Sequence, residues 1–416
     1  MSQLPVALVI GVDRPAGLAV VRELGRHGVP VIGVGHDRDA LARSSRYLSA
    51  FHLRPPGEVA EWLPELVQRS GAGALFALGE ADLVALAGME EAALGCRILT
   101  PRAEPLAAVL DKQRTLAVAA RLGVDVPRSW QPLHPNEPAP DLGWPVVVKW
   151  ADPPAVRDRL AAAGLKLVKA EYCRDEASLR DTLHRYAPIG SLPLVQERCA
   201  GHGVGHMLYM EGGRAILRFA QERVHEWPAE GGVSTLCRGV PAGRDAAQMA
   251  KSEALLSAIG WEGPAMVEYR HDAAKGRFAL MEVNGRFWGS QKLASASGAE
   301  FAWLLYRREI LGDRTPPPAP RTDLYARHMV RETKRLARLL LRRPSKDPAF
   351  RPTPGRDLLR YLAGFLDPRM RYFVFSPGDP KPFLADMAIL LRAALRKARL
   401  LPRRSPALTP AAKRRG

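Results

Sequence analysis

Ala265-Met266-Val267-Glu268-Tyr269 and Phe278-Ala279-Leu280-Met281-Glu282-Val283, the latter running on through Asn284-Gly285-Arg286, are the stretches on which the reading of this 416-residue chain turns. Both are apolar runs of strand length, and the polar turn His271–Gly276 between them predicts a hairpin. Residues two apart on a strand share a face, so Glu282 and Asn284 point the same way and the turn folds Glu268 back beside them. Two carboxylates and an amide oxygen then converge. Hard oxygen donors of this kind suit Mg²⁺, which keeps several waters and takes only one or two protein carboxylates when it sits on nucleotide phosphates. Arg286, two residues further on, presents a guanidinium to a phosphoryl oxygen. The competing reading is an ordinary solvated hairpin with Glu–Arg salt bridges. It is weakened by the apolar setting, because charges are seldom buried without a partner.

Three further signals lie upstream. Lys149 ends the strand Pro145–Lys149, and Lys112 opens a helix over Asp111–Leu122, where a cation is disfavoured unless an anion is near. Gln196-Glu197-Arg198 ends the apolar strand Leu194–Glu197 before Gly201-His-Gly-Val-Gly205. An extended segment there can offer backbone groups to a base edge, with Glu197 available to base or ribose; the Gly run is no P-loop, since no Gly-Lys-Ser/Thr follows. Arg223 and His225 lead into a polar loop containing Gly231-Gly232, read either as a flap over phosphates or as a surface loop.

Around these, residues 1–105 alternate strand and helix: Val6–Gly11, a helix ending at Gly28, Val29–Val34, Val59–Gln68, Ala74–Leu78, Asp82–Met89 and Arg97–Leu99. That order predicts a parallel, doubly wound α/β domain. Its first turn, Gly11 to Gly17, lacks the G-x-G-x-x-G pattern of a dinucleotide site, so both glycines read as turn and packing residues. Residues 106–315 read as an α+β domain, with strands near Leu165–Tyr172, His206–Met210, Ala215–Arg223, Ala265–Tyr269 and Phe278–Val283, and helices Glu176–Tyr186 and Ala246–Ile259. A stiff linker, Pro316–Pro320, opens a third unit, 316–416.

Asp111-Lys112, Lys149, Gln196-Glu197, Gly201–Gly205, Arg223 with Gly231-Gly232, Glu268 and Glu282-Val-Asn284-Gly-Arg286 resemble, in order and spacing, the ATP-grasp superfamily, in its carboxylate–amine ligase and carbamoyl-phosphate-synthase-like branch. The resemblance covers about residues 105–312. It implies a Rossmann-like pre-ATP-grasp domain, an ATP-grasp fold and a basic, mainly helical carboxyl-terminal extension. It implies that Lys112 and Lys149 bind ATP phosphates, that Gln196, Glu197 and Arg198 contact adenine, and that Glu268, Glu282 and Asn284 hold Mg²⁺, with Mn²⁺ an accepted substitute. Arg223 and Arg286 are the implied catalytic cations. The implied reaction activates a small-molecule carboxylate as an acyl phosphate for attack by an amine or similar nucleophile. One departure is Trp150-Ala-Asp-Pro-Pro-Ala-Val-Arg157, where the family often carries a Gly/Ser-rich phosphate lid. The alternative function is an ATP-binding regulator or membrane-surface adaptor on the same scaffold without turnover.

Charge is unevenly spread. From residue 316 onward there are 24 Lys/Arg against 7 Asp/Glu, so that region carries nearly all of the net +18. Two amphipathic helices are expected there, Tyr325–Arg343 and Phe383–Leu401, followed by a disordered end over 403–416. In the first, Met329, Leu336, Leu339 and Leu340 oppose Arg327, Arg331, Lys334, Arg335, Arg338 and Arg342. Such helices lie on an anionic bilayer, each basic residue near the surface contributing about 1 kcal/mol, or they dock on the enzyme and leave a basic exterior. Nucleic acid is disfavoured, because no recognition motif or aromatic interleaving accompanies the charge. No apolar run approaches the roughly 20 residues of a membrane span. Four scattered cysteines form no CxxC pair, which fits a reducing cytoplasm, with residues 325–401 peripheral on the inner face of the membrane and a homodimer as the ordinary prior.

Overall fold

The computed structural model describes residues 4–397 apart from 152, 169 and 230. The end expected to be disordered, 403–416, and the last turn of the helix expected to reach Leu401 lie outside the described residues.

The amino-terminal layer runs β1 (Val6–Ile10), α1 (Pro15–Arg26), β2 (Val31–Gly35), β3 (Ala50–Leu53), α2 (Val59–Ser70), β4 (Ala72–Ala77), α3 (Glu80–Ala87), α4 (Glu91–Leu94), β5 (Arg97–Ile98) and α5 (Ala103–Leu110). All five strands are parallel, in the order β3-β2-β1-β4-β5, so the topology reverses between β1 and β4. The turn after β1 behaves as its glycines predict. Gly11 sits at φ +96°, and a Cβ on Gly17 would lie 2.7 Å from the Gly11 carbonyl oxygen, so α1 packs onto the turn only because that side chain is missing. The short edge strand β3 had no readable signal in the sequence.

A second unit follows: α6 (Lys112–Arg121), β6 (Ser129–Trp130), β7 (Val146–Lys149), α7 (Pro153–Ala162), β8 (Glu171–Cys173), α8 (Glu176–Tyr186) and β9 (Leu194–Glu197). Its strands form an antiparallel sheet ordered β6-β9-β7-β8, over a small core of Val146, Val148, Cys173, Leu179, Leu183 and Val195. The strand expected over Leu165–Tyr172 forms only at its end, as β8.

The largest sheet uses β10 (His202–Glu211), β11 (Arg214–Trp227), β12 (Val233–Gly239), β13 (Gly263–Asp272) and β14 (Arg277–Asn284), with α9 (Ala246–Ile259), α10 (Gln291–Ala296) and α11 (Phe301–Glu309) packed around it. The last quarter does not stand apart from it. β15 (Tyr325–Arg327) and β16 (Met370–Tyr372) complete the order β14-β13-β10-β11-β12-β15-β16; α12 (Met329–Leu340) packs on β11 and β12, α13 (Pro354–Ala363) on α12, and α14 (Lys381–Lys397) against residues 41–44 of the amino-terminal layer. The helix expected from Tyr325 therefore starts at Met329, because Tyr325–Arg327 pairs antiparallel with Leu236–Arg238. Arg327 and Arg335, expected on a solvated basic face, are buried. Arg327 donates to the Tyr361 carbonyl at 3.0 Å, and Arg335 bridges Glu332 and Asp357. A second lock reaches the first layer, where buried Arg22 of α1 donates to Asp379 Oδ2 at 2.9 Å and Ser45 donates to the same oxygen at 2.6 Å.

Candidate functional site

The β13–β14 hairpin brings the acidic residues together. Glu268 stands opposite Glu282, and Met266 opposite Asn284. The register shifts after this pair, so that Tyr269 faces Leu280 and Met281 is the extra residue of a β-bulge. The bulge separates two jobs: Leu280 enters the apolar core with Tyr269 and Val267, while Glu282 joins Glu268 on the opposite face. Asn284 Nδ2 lies 3.4 Å from Glu282 Oε1, and Lys112 Nζ lies 3.1 Å from Glu282 Oε2. Lys112 is brought there by α6, whose first turn is capped by the Asp111 carboxylate accepting from the Gln113 and Arg114 amides. Among the described residues no group of three or more His, Cys, Asp or Glu suited to a metal occurs. Two carboxylates with an amide oxygen still match what Mg²⁺ takes from protein when phosphates supply the rest.

Arg223 completes this floor from two strands away. Its guanidinium lies 2.5 Å from Glu268 Oε2 and 3.2 Å from Glu226 Oε1, and it donates to the Gly232 carbonyl at 2.8 Å. It reaches Glu268 by crossing β10 at Gly203, where a Cβ would lie 2.6 Å from Arg223 Cδ. Gly203 and Gly205 both open the face of β10 that lies between β11 and β13. The Gly-rich run after the hinge is thus mostly strand, and within it Gly203 makes room for the Arg223 side chain. Burial pushes the Glu268 carboxyl above its ordinary value against the pull of Arg223, and the Glu282 charge opposite adds to the rise. A cation held between the two carboxylates would relieve that strain. Burial alone would weaken the Arg223 guanidinium as a base, but Glu268 and Glu226 outweigh it and raise its pKa.

On the other wall, Gln196 is buried and donates to Ser129 Oγ at 2.8 Å. Glu197 is held by Arg128 at 3.1 Å and Arg277 at 2.6 Å; burial works against the charge, yet these two arginines keep the carboxyl below its usual range. Arg198 pairs with buried Asp347 at 2.8 Å. Lys149 ends β7 opposite Leu194, and its charge is felt at Cys199. A cavity of about 210 Å³ opens beside Glu197–Ala200, lined also by Arg128, Trp144, Arg270, Lys275 and Arg277. Arg270 is two residues from Glu268 on β13, so cavity and carboxylates share one sheet face. Arg286 turns away, its Nε 2.9 Å from Glu80 Oε1 at the start of α3. The structure thus gathers Lys112, Arg223, Glu268, Glu282 and Asn284, sets Gln196, Glu197, Arg198 and Lys149 on the facing sheet, and joins Arg286 to the amino-terminal layer. Arg128, Arg277 and the Glu226–Arg270 pair are not readable in the sequence, because each contact joins residues far apart in the chain.

No family model matches the chain, and no curated protein sequence does. Solved structures do. A biotin carboxylase–β,γ-ATP complex from Campylobacter jejuni aligns with a TM-score of 0.58 at 15% identity, covering 77% of this chain and 74% of that one. N5-carboxyaminoimidazole synthetase from Staphylococcus aureus gives 0.57 at 13%, covering 78% and 82%. L-amino acid ligase from Bacillus licheniformis gives 0.53 at 14%, covering 76% of each. The chain has the ATP-grasp fold with its preceding α/β domain.

Proposed function

We propose that this chain is a ligase that uses ATP with Mg²⁺, or Mn²⁺ in its place, to activate a small-molecule carboxylate for attack by an amine or similar nucleophile. The observation that carries the reading is the in-register pair Glu268 and Glu282, with Asn284 beside them and Lys112 at 3.1 Å, on the same sheet face as the cavity under the hinge.

In this reading Glu268, Glu282 and Asn284 would hold the metal, whose contribution when bound is to neutralise phosphoryl charge. Lys112 and Lys149 approach the phosphates from two elements. Gln196 and Glu197 lie in the ladder between β6 and β7, so backbone groups from Arg198 onward are best placed to meet the base edge. A substrate carboxylate oxygen bonds to the γ-phosphorus as the bond to the ADP oxygen breaks. The amine then forms its bond to the acyl carbon, phosphate departs with the C–O electron pair, and the amine proton passes to solvent. No protein nucleophile is needed, so the side chains act by positioning and by compensating charge. Arg223 fixes the Glu268 carboxylate, while Arg286 would serve as the second cation only by exchanging its Glu80 partner for a phosphate. ATP supply and free thiols both suit a cytoplasmic setting.

A second reading, nucleotide binding without turnover, is favoured by α7. Where the family often has a Gly/Ser-rich lid, residues 153–162 are helical. Phosphate and ADP release from Mg²⁺-ATP against pooled amino acids, peptides and uronic acids separates the two. Release that requires both an added carboxylate and Glu282, tested with Glu282→Ala, supports the ligase. Nucleotide binding with no turnover across broad pools sinks it.

A further inference from the structure

The apolar residues that the sequence sets on the inner face of α12 are consumed by docking: Leu336 and Leu339 are buried against the sheet. A different apolar surface remains. On α13, Asp357, Tyr361 and Gly364 face inward, where Asp357 meets Arg335 at 3.0 Å and the Tyr361 hydroxyl lies 2.7 Å from Thr333 Oγ1 of α12. The opposite stripe of α13 and the turn after it carries Leu359, 71% exposed, Leu362, 54%, and Leu366, 87%, at helical spacing. Leu340 and Leu341 at the end of α12 are exposed too, as are Leu384 and Leu391 on α14. α13 packs on α12, where Tyr361 meets Thr333, whereas α14 packs against residues 41–44 of the amino-terminal layer. Leu359, Leu362 and Leu366 along one stripe, with Leu340 and Leu341 on the helix packed beside it, exceed the singly scattered apolar residues of an ordinary exterior.

The charge around them selects the occupant. Between residues 328 and 392, eleven Lys and Arg residues are exposed, while none of the six Asp and Glu residues is. The acids are withdrawn into pairs such as Arg335–Asp357, Arg198–Asp347 and Arg22–Asp379. Arg356 and Arg360 flank the leucines of α13 on its outer side, and Arg342 and Arg343 follow Leu341 directly. Leucines surrounded by cations, with the nearby acids buried or, as at Asp367 beside Leu366, paired with an arginine, complement a surface that offers both apolar depth and negative charge. Among the described residues no helix is long and apolar enough to cross a membrane, so the contact is superficial. We propose that α13 and the end of α12 form an interfacial docking face for an anionic lipid bilayer, with Leu359, Leu362 and Leu366 entering the headgroup–acyl boundary and the flanking arginines meeting lipid phosphates.

The test is co-sedimentation of the full chain with vesicles of phosphatidylcholine alone and of phosphatidylcholine mixed with phosphatidylglycerol. The double variant Leu359→Asp/Leu366→Asp and the charge variant Arg356→Glu/Arg360→Glu are run beside the wild type, with thermal unfolding to verify folding. All four positions are exposed, so folding is expected to survive. Binding to the mixed vesicles only, falling at least tenfold in each variant and weakened by salt, supports the face. Absence of binding, equal binding to neutral vesicles, or binding unchanged in the Asp variant overturns it. Light scattering of the same samples reports the rival occupant. A wild-type dimer that the Asp variant splits, without vesicle binding, assigns the face to a second copy and overturns the lipid proposal.

Discussion

Replacing Gly203 with alanine tests whether the crossing of Arg223 over β10 shapes the carboxylate pair. Gly203 is not at positive φ, so the new methyl group acts through space alone. It would lie 2.6 Å from Arg223 Cδ and 3.1 Å from Nε, well inside the ~3.5–4.0 Å of favourable carbon contact. Arg223 yields with difficulty, since its far end is fixed by Glu268, Glu226 and the Gly232 carbonyl. Losing one such charged hydrogen bond costs on the order of 2 kcal/mol, and a misplacement of about 1 Å near the reacting centre can cost about a hundredfold in rate. We expect kcat to drop roughly ten- to hundredfold, equivalent to ~1.4–2.7 kcal/mol. Gly205→Ala is the control, because the nearest atoms to its methyl group would be Met207 Cε at 3.1 Å and Met266 Sδ at 3.2 Å, ends of flexible side chains that can swing aside. The pH dependence sharpens the test. Arg223 pulls the Glu268 carboxyl down, so displacing Arg223 lets it rise further, and metal binding, which needs the carboxylate, should fail at higher pH than in the wild type. Calorimetric titration with Mg²⁺-ATP across pH reads this without a cognate substrate, and steady-state ADP release follows once one is found. If both alanine variants match the wild type in affinity and pH profile, Arg223 does not act through Glu268.

Lys112→Met should lower kcat/KM roughly ten- to hundredfold through lost phosphate contact, with little change in melting temperature, because Lys112 is exposed and Glu282 only half-buried, and solvent-screened pairs of this kind are worth about 0–1 kcal/mol; an unchanged kcat/KM would remove Lys112 from the site. Glu23 is fully buried, accepts from the Ala302 and Trp303 amides, and is pushed up to about 7 by burial. Its folded pKa exceeds its unfolded one, so its ionisation removes stability as pH rises from about 4.5 to about 7, on the order of 3 kcal/mol in all. Glu23→Gln keeps the acceptor oxygen and should raise the melting temperature more at pH 8 than at pH 5, a difference that equal shifts at the two pH values would refute. Asp379→Ala leaves the Arg22 guanidinium buried without its carboxylate and should destabilise by about 3–5 kcal/mol, measured as a shift in urea midpoint; an unshifted midpoint would show the lock to be idle.

The hairpin was legible because its information is local. Glu268, Glu282 and Asn284 lie on two adjacent strands joined by one short turn, so alternation and turn length suffice to put them on one face. Even there the bulge at Met281 was hidden, since simple alternation would set Leu280 beside Glu282, whereas the register separates them. The parallel layer was equally readable, its buried runs being continuous and separated by helical periods. For the hinge the sequence offers backbone groups and a Glu197 carboxylate to the nucleotide, but not the partners of that carboxylate. That Glu197 is gripped by Arg128 and Arg277, or that Gly203 exists for Arg223, depends on which strands become neighbours, and no spacing within one strand encodes that.

The last quarter shows why composition misleads about a basic segment. Amphipathicity sorts side chains by the assumption that arginine faces water, and here Arg22, Arg327 and Arg335 are among the most buried residues. Each is affordable because its partner arrives from elsewhere: Asp379 lies 357 residues from Arg22, Asp357 lies 22 from Arg335, and the Tyr361 carbonyl lies 34 from Arg327. Burying the acids with these arginines strips negative charge from the exterior, so the same pairs that bind the quarter to the sheet also make its outer face almost purely cationic. Truncation after Gly312 therefore cannot isolate a tail function. It would remove two strands of the main sheet and the carboxylate of Arg22, and should yield an unfolded chain rather than an active core. A soluble truncation with native melting behaviour would show that these strands are dispensable, and with it that the buried pairs were never what joins the docking face to the sheet.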